Sequence, residues 1–311
     1  MIQVKKTFHN IRHEFVIAGV KLFRRKKFKK TVFLAGSGRS GTTWIGNIIN
    51  HKNDYRIYFE PFHPGKVTEF GLFNSRQYFR DEVSDPAFLN PLNLLIQGKL
   101  SNKWINSRNR NFYASKLLVK DIRANLLLHW IKSHHPDLKV ILVLRHPCAV
   151  ALSRIKLKWG GSVSQFLSQP ELLQDYLQPF LEIMRAADSD LEKCVTAWCI
   201  ENYVPLRQFN PGEILVCYYE NFVIDPEPEV RKMLNFIGDP FPADLESILS
   251  RSSDTNWNRS EHSDLQEFSF NRWKSEITPA DYAKVKNILQ KFGMDLFYDD
   301  DGRPLSPELK G

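Results

Sequence analysis

The chain has 311 residues, enough for one large domain or two small ones, and no stretch of it approaches the roughly 20 apolar residues that span a bilayer. Lys and Arg outnumber Asp and Glu by 43 to 35, a net charge of +8, which points to an anionic partner: a nucleotide, nucleic acid, an acidic membrane or a sulfated sugar. Cys148, Cys194, Cys199 and Cys217 stand singly, without CxxC or metal-like spacing, so they read as buried inert thiols in a reducing compartment.

Residues 1–30 are crowded with Lys and Arg, and Glu14 is their one acid. The apolar run Phe15–Val20 is followed, not preceded, by its densest charges (Arg24 to Lys27), the reverse of a secretory signal. A non-secreted, cytoplasmic protein is expected. The segment reads either as a solvated basic tail or as a helix lying on anionic lipid at the membrane periphery.

Short apolar runs then predict buried strands at Thr31–Ala35, Arg56–Phe59, Leu117–Val119, Val140–Leu144 and Ile214–Tyr218. Helical periodicity lies between and after them. It runs through Ile45, Ile48 and Ile49, through Leu126, Leu127, Trp130 and Ile131, and through Val195, Trp198, Cys199 and Asn202. Val230, Met233, Leu234 and Ile237 form a further face, ended by Gly238 and Pro240. A last helix starts near Thr278, with Pro279 in its first turn and Asp281 as an early acid. Strands alternating with helices predict an α/β fold, a parallel sheet flanked by helices on both faces. Residues 64–115 and 159–190 read as irregular insertions that cover a site. The division expected is a basic segment 1–30, one α/β domain 31–300 and a tail 301–311.

Thr31 to Trp44 carries the chemistry. An apolar strand runs into Gly36, Gly38 and Gly41 and then into an amphipathic helix. Glycines let backbone N–H groups turn inward, and a helix N-terminus adds positive potential, so such a loop cradles an anion. Gly36 and Gly41 have the spacing of the NTPase phosphate loop, which makes the fold P-loop-like. Thr42, however, stands where that loop has its Lys, and Thr43 where it has its Mg²⁺-binding hydroxyl. With Arg39 and the hydroxyls of Ser40, Thr42 and Thr43 instead, the loop suits a shorter anion held without an obligatory metal.

Arg39-Ser40-Gly41-Thr42-Thr43-Trp44 resembles the signature of the sulfotransferases that use PAPS (3′-phosphoadenosine 5′-phosphosulfate), with the bacterial and carbohydrate-modifying branch most similar. The resemblance implies that Gly38 to Thr43 hold the 5′-phosphosulfate and that Trp44 packs on adenine. Val140 to Pro147 adds a second match: a strand ending in Arg145, with Ser153 eight residues on in the next helix, like the family's clamp for the 3′-phosphate. An Arg at a strand's carboxyl end presents a bidentate fork, and a Ser one turn into a helix adds a hydroxyl. His146 reads as structural. Tyr218-Tyr219-Glu220 resembles an element in which a tyrosine, here Tyr219, approaches adenine; core packing explains it nearly as well. Arg272-Trp273-Lys274 before Glu276 to Pro279 resembles the family's closing segment. The Arg-Lys-Gly run that cytosolic members carry upstream is replaced by Phe268 to Asn271, so Arg272 is the candidate substitute.

The resemblance implies a sulfuryl transfer from PAPS to a hydroxyl, a glycan or small hydroxylated metabolite being favoured, with PAP as product and no metal. Such a transfer needs cations on the leaving phosphate oxygen, for which Arg39 and Lys120 are candidates and Arg123 a helper. It also needs a base, for which Glu60 in Tyr58 to Pro64 is favoured and His63 is the alternative. The pocket for the acceptor is expected from Phe70, Phe73, Trp104, Phe112, Tyr113, Lys158 and Trp159. Two other readings stay open: a phosphate-loop kinase or NTPase, weakened by Thr42, and a non-enzymatic binder of anionic surfaces. No base-reading module is recognisable, so no nucleic-acid partner is expected.

Overall fold

The computed structural model describes residues 28–251 and 270–305. Residues 1–27, which carry the basic segment, and the Phe268–Ser269 stretch before Arg272 lie outside the described residues. Among the described residues five parallel strands form one sheet in the order β2-β3-β1-β4-β5: β1 Lys30–Gly36, β2 Tyr55–Phe59, β3 Lys116–Asp121, β4 Lys139–Leu144 and β5 Leu215–Tyr218. Ile214, expected in the last strand, instead forms an isolated bridge with Pro211.

Successive strand residues face opposite sides, and both sides are apolar because both are covered. Val32, Leu34, Leu118, Ile141, Val143 and Cys217 pack under α1 (Thr42–Ile49) and a second amphipathic helix, Pro226–Ile237. Phe33, Ala35, Leu117, Val119, Val140 and Leu142 face the larger core on the other side. The helices there are α3 (Leu128–His134), α4 (Pro147–Lys156), α5 (Asp190–Gln208) and α7 (Pro279–Phe292). With α6 given to Pro226–Ile237, α2 is Pro86–Ile96, a helix that the sequence reading placed inside an irregular insertion. Pro86 and Pro91 disguise it. Pro86 sits at the start, where a missing N–H is harmless, and Asp85 caps the Ala87 N–H at 2.8 Å. Burial of Leu92 and Leu95 carries the helix past Pro91.

The all-parallel order aligns the carboxyl ends of the strands at one edge. Leu34 pairs with Lys120 and Phe59 with Lys120 across β1, β3 and β2, while Gly36 pairs with Val143 and Leu144 with Tyr218. The chain order reverses on either side of β1, so the edge above β1 is the crevice where open α/β sheets bind ligands. All four cysteines are buried and unpaired, and burial pushes the Cys148 thiol up to about 12. Among the described residues no helix is long and apolar enough to cross a membrane.

Candidate active site

The loop between β1 and α1 is held open from behind. Gly41 (φ 83°) lies in the left-handed region, and a Cβ there would meet Tyr219 Cδ2 at 2.3 Å, so only glycine fits. Arg39 also has positive φ (82°), a conformation that costs an L-residue about 1 kcal/mol or more and needs outside support. It has that support. Its Nε donates to Ser153 Oγ at 2.9 Å, and its carbonyl accepts Arg145 Nη1 at 3.1 Å. Arg154 Nε donates to the Gly38 carbonyl at 3.1 Å, and Asn202 Nδ2 donates to Ser37 Oγ at 3.1 Å. With carbonyls of the loop turned towards α4, the N–H groups at the start of α1 have neither a side-chain cap nor a helical partner. Ser40 Oγ is fully buried and makes no hydrogen bond.

Arg39 and Arg145 approach each other, and among the described residues no carboxylate pairs with either. Burial, and then Arg145, lower the Arg39 pKa, the signature of a cation pair that lacks an anion. Arg145 lies 4.2 Å above the Tyr219 ring, and its Nε is buried without a partner. Tyr219 packs in turn against Trp44, ring centroids 5.5 Å apart. Beside Arg145 and Ser153 opens a cavity of about 180 Å³, whose wall includes Lys156, Arg272 and Glu276. Glu276 binds Lys156 at 2.5 Å and Arg272 at 3.1 Å, and these cations, Lys156 first, hold its carboxyl below the usual range. His146 is buried and stacked on Trp273 at 4.1 Å; burial lowers its pKa to about 3.

Across the loop, Glu60 follows β2 in a left-handed turn (φ 46°), pinned by its N–H to the Lys120 carbonyl at 2.7 Å. Its carboxylate takes Lys120 Nζ at 2.7 Å and Arg123 Nη1 at 2.8 Å. Burial works to raise its pKa, but Lys120 and Arg123 outweigh burial and the net shift is downward. Asp121 fixes this turn: it accepts the Phe62 N–H at 2.8 Å and the Arg123 N–H at 2.6 Å, and burial brings its own carboxyl up to about 6. His63 is half-buried with its Nδ1 unpartnered; burial and then Arg123 lower its pKa, leaving it neutral near pH 7. Phe70 and Phe73 belong to the core rather than to a pocket, whereas Trp159 is exposed beside Gly38, with the Arg39 guanidinium 5.9 Å from its ring.

A family profile described as the sulfotransferase family matches residues 31–243, more than half of the chain and the whole of this edge of the sheet. The chain belongs to the sulfotransferase family. A Caenorhabditis briggsae protein, provisionally named a protein-tyrosine sulfotransferase, is 26% identical over 223 residues, 68% of this chain and 66% of that relative, just under two thirds of its length. Among solved structures, the sulfotransferase domain of the Synechococcus PCC 7002 olefin synthase is 16% identical (TM-score 0.43, covering 88% of this chain and 97% of that one). A mouse sulfotransferase complexed with PAP is also 16% identical (TM-score 0.45, 88% and 87%).

Against this family background, four residues at the edge escaped the sequence reading. Arg154 and Glu201 form a buried ion pair at 2.7 Å, joined by Arg76 from the 64–115 insertion, and this cluster carries the Gly38 carbonyl. Lys156 joins Ser153 at the cavity. Only the spacing of Lys156, one turn beyond Ser153, signals its place in sequence; Glu201 had no such signal, being one acid on a long helix. Among the described residues no group of three or more His, Cys, Asp or Glu side chains is placed to hold a metal ion.

Proposed function

We propose that this member of the sulfotransferase family moves the sulfuryl group of PAPS onto a hydroxyl acceptor, a glycan or small hydroxylated metabolite, and releases PAP. The observation that carries the reading is the convergence of two guanidinium groups, Arg39 and Arg145, with Ser153 and the open N-terminus of α1, without a carboxylate among the described residues paired to either arginine. That arrangement suits a ligand with an anion at each end. Gly38 to Thr43 would hold the phosphosulfate. Arg145, Ser153 and Arg272, with Lys156, would hold the ribose phosphate, and Trp44 and Tyr219 would face the adenine. Thr42 in place of the NTPase lysine favours this donor over a nucleoside triphosphate.

When bound, PAPS supplies an activated sulfur–oxygen bond. The acceptor oxygen forms a bond to sulfur while the bond from sulfur to the phosphate oxygen breaks. Lys120 and Arg39 neutralise that oxygen, and Glu60 takes the acceptor proton. At rest Glu60 is a weak base because Lys120 and Arg123 stabilise its charge. Turning Lys120 to the leaving oxygen strengthens it. His63, neutral and with an open Nδ1, supports a second assignment of the base. The reaction unit is residues 31–300 of a cytoplasmic enzyme. Residues 1–30 give it a peripheral contact with anionic lipid, and no nucleic-acid partner or metal takes part. Lys30, bonded to Asp239 at 2.7 Å, already belongs to the sheet, so a truncation that tests the lipid contact should stop before Phe28.

Thermal unfolding tests the donor. PAP should raise the melting temperature without Mg²⁺ and ATP should not; the reverse pattern would favour a kinase. With labelled PAPS and a panel of hydroxyl acceptors, Glu60→Gln should lose turnover by roughly a hundredfold or more with PAP affinity kept. Unchanged turnover in Glu60→Gln with loss in His63→Gln would move the base to His63.

A further inference from the structure

The buried carboxylates at this edge of the sheet are satisfied in different ways. Glu201 has two guanidiniums, and Glu60 has an ammonium and a guanidinium. Glu220 has neither. It follows β5, is fully buried, and among the described residues pairs with no cation. Its Oε1 accepts the His146 N–H at 2.9 Å and its Oε2 the Tyr298 hydroxyl at 3.3 Å, a long distance for a bond between two oxygens. Two neutral donors are little to hold a buried charge. Burial raises the Glu220 carboxyl to about 7, against the pull of the His146 N–H and of Arg145.

What Glu220 holds is the turn that carries Arg145. The peptide group between Arg145 and His146 is gripped at both ends: its carbonyl accepts Trp198 Nε1 at 3.0 Å, and its N–H donates to Glu220. The His146 ring is stacked on Trp273 and meets Tyr298 edge-on at 5.0 Å, which keeps the turn from rotating. Tyr219, next to Glu220 in the chain, lies 4.2 Å from the Arg145 guanidinium. Two consecutive residues thus fix both the backbone and the side chain of Arg145. The neighbouring titratable groups keep one protonation state near pH 7. Burial lowers His146 to about 3 and raises the Tyr218 and Tyr298 phenols above their ordinary value. Lys274, which acts on His146, pairs with Asp301 at 2.9 Å, and Glu229 of α6 acts on Tyr218.

Resting on the donor reading given above, we propose that Glu220 is a positioning residue for Arg145, and that it takes up a proton from solvent when the donor's phosphate reaches that arginine. The ionised carboxylate and the phosphate draw on the same guanidinium. An arriving anion therefore favours the neutral carboxyl, whose carbonyl oxygen still accepts the His146 N–H. The grip on the turn stays while its charge leaves. Proton uptake and donor binding are then linked: the donor binds most tightly where Glu220 is already protonated, and binding weakens as pH rises through the titration of the free protein.

Calorimetry of PAP binding from about pH 5.5 to 8.5 tests this. Over that range the unaltered protein should lose about threefold to tenfold more affinity than Glu220→Gln, which keeps the acceptor for the His146 N–H but cannot ionise. The phosphates of PAP and His63 titrate alike in both proteins and cancel in the ratio. Buffers of different ionisation enthalpy should show more protons taken up near pH 7 by the parent than by Glu220→Gln. Glu220→Ala, which frees the turn, should bind PAP about tenfold more weakly even at low pH, where Glu220→Gln matches the parent. Tyr298→Phe removes a donor to the ionised form and should move the parent's midpoint to higher pH. Parallel profiles for the parent and Glu220→Gln, or equal affinities for Glu220→Ala and Glu220→Gln, would overturn the proposal. If the parent binds no PAP at any pH, the donor reading fails, and the titration of Glu220 itself still decides its link to Arg145. Its carboxyl signal, followed by NMR in protein with labelled glutamate and identified by its loss in Glu220→Gln, should titrate near neutrality and move upward in Arg145→Gln. An ordinary carboxylate midpoint, or one that Arg145→Gln leaves in place, would end the link.

Discussion

Two arginine clusters lie on either side of the same loop and have opposite solutions to the same electrostatic problem. Arg154, buried, and Arg76, half-buried, close around Glu201. Burial alone would push the Glu201 carboxyl up, yet the two guanidiniums outweigh it and hold it down at about 2. Arg39, in the same loop, and Arg145, between β4 and α4, have no carboxylate paired to them among the described residues and lean on a hydroxyl, a carbonyl and a tyrosine face. A satisfied buried cluster is scaffold, because its charges are already neutralised; a cluster lacking its anion is held in readiness for one. The scaffold cluster holds the loop from behind through the Gly38 carbonyl, and the open cluster is the one proposed to meet the donor.

Breaking the first cluster should have the largest effect. Glu201→Gln leaves the buried Arg154 and the half-buried Arg76 without their anion and should cost about 3–5 kcal/mol of stability, read from urea denaturation. A carboxylate whose folded pKa lies below its unfolded value contributes stability above the unfolded pKa and loses it as pH falls through the folded one. The gap between parent and Glu201→Gln should therefore be full above about pH 5 and close progressively towards pH 2. A gap independent of pH would mean that the ion pair is not what stabilises the loop. Arg145→Gln should do the opposite: cost about 1 kcal/mol or less in stability, yet weaken PAP by on the order of a hundredfold, measured by calorimetry. Arg39→Gly comes next. It relieves the positive-φ backbone and should leave stability unchanged or raised by about 1 kcal/mol, while PAP affinity falls roughly tenfold. Equal stability losses in Arg145→Gln and Glu201→Gln would erase the distinction between the clusters.

The open cluster was far more legible in sequence than the closed one. Gly36, Gly41 and the hydroxyl run to Thr43 announce an anion loop because their spacing is local and their backbone demands are specific. Arg145 was legible because an apolar strand delivers it to a known edge. The strands themselves were readable as apolar runs, since a sheet covered on both faces leaves no polar alternation to misread. Arg76, Arg154 and Glu201 come together from three distant segments, and nothing local in any of them distinguishes a buried partner from a solvated charge. The same holds for Glu60: its place after β2 was readable, but the two cations that depress its pKa depend on the β2–β3 register. Helix α2 was hidden for a different reason, because its two prolines outvoted a burial pattern that only the tertiary fold creates.

The smallest expected effect is a gain, and it sharpens the comparison at the border between the clusters. Glu276 lies at the rim of the cavity assigned to the ribose phosphate and pairs with both Lys156 and Arg272. An anion entering that cavity must compete with this carboxylate for the same two cations. Both pairs are largely solvent-exposed on the cation side, so breaking them should change stability by less than about 1 kcal/mol. Glu276→Gln removes the competitor and leaves an uncharged side chain of the same length, so PAP affinity should rise about threefold to fivefold. The gain should be largest at low ionic strength and fade towards 1 M salt, where screening shortens the reach of both cations. It should also vanish in a Lys156→Gln, Arg272→Gln background, which leaves nothing for the carboxylate to occupy. A loss of affinity in Glu276→Gln would mean instead that the carboxylate orients Lys156 and Arg272 towards the phosphate, placing it with Glu201 among the scaffold.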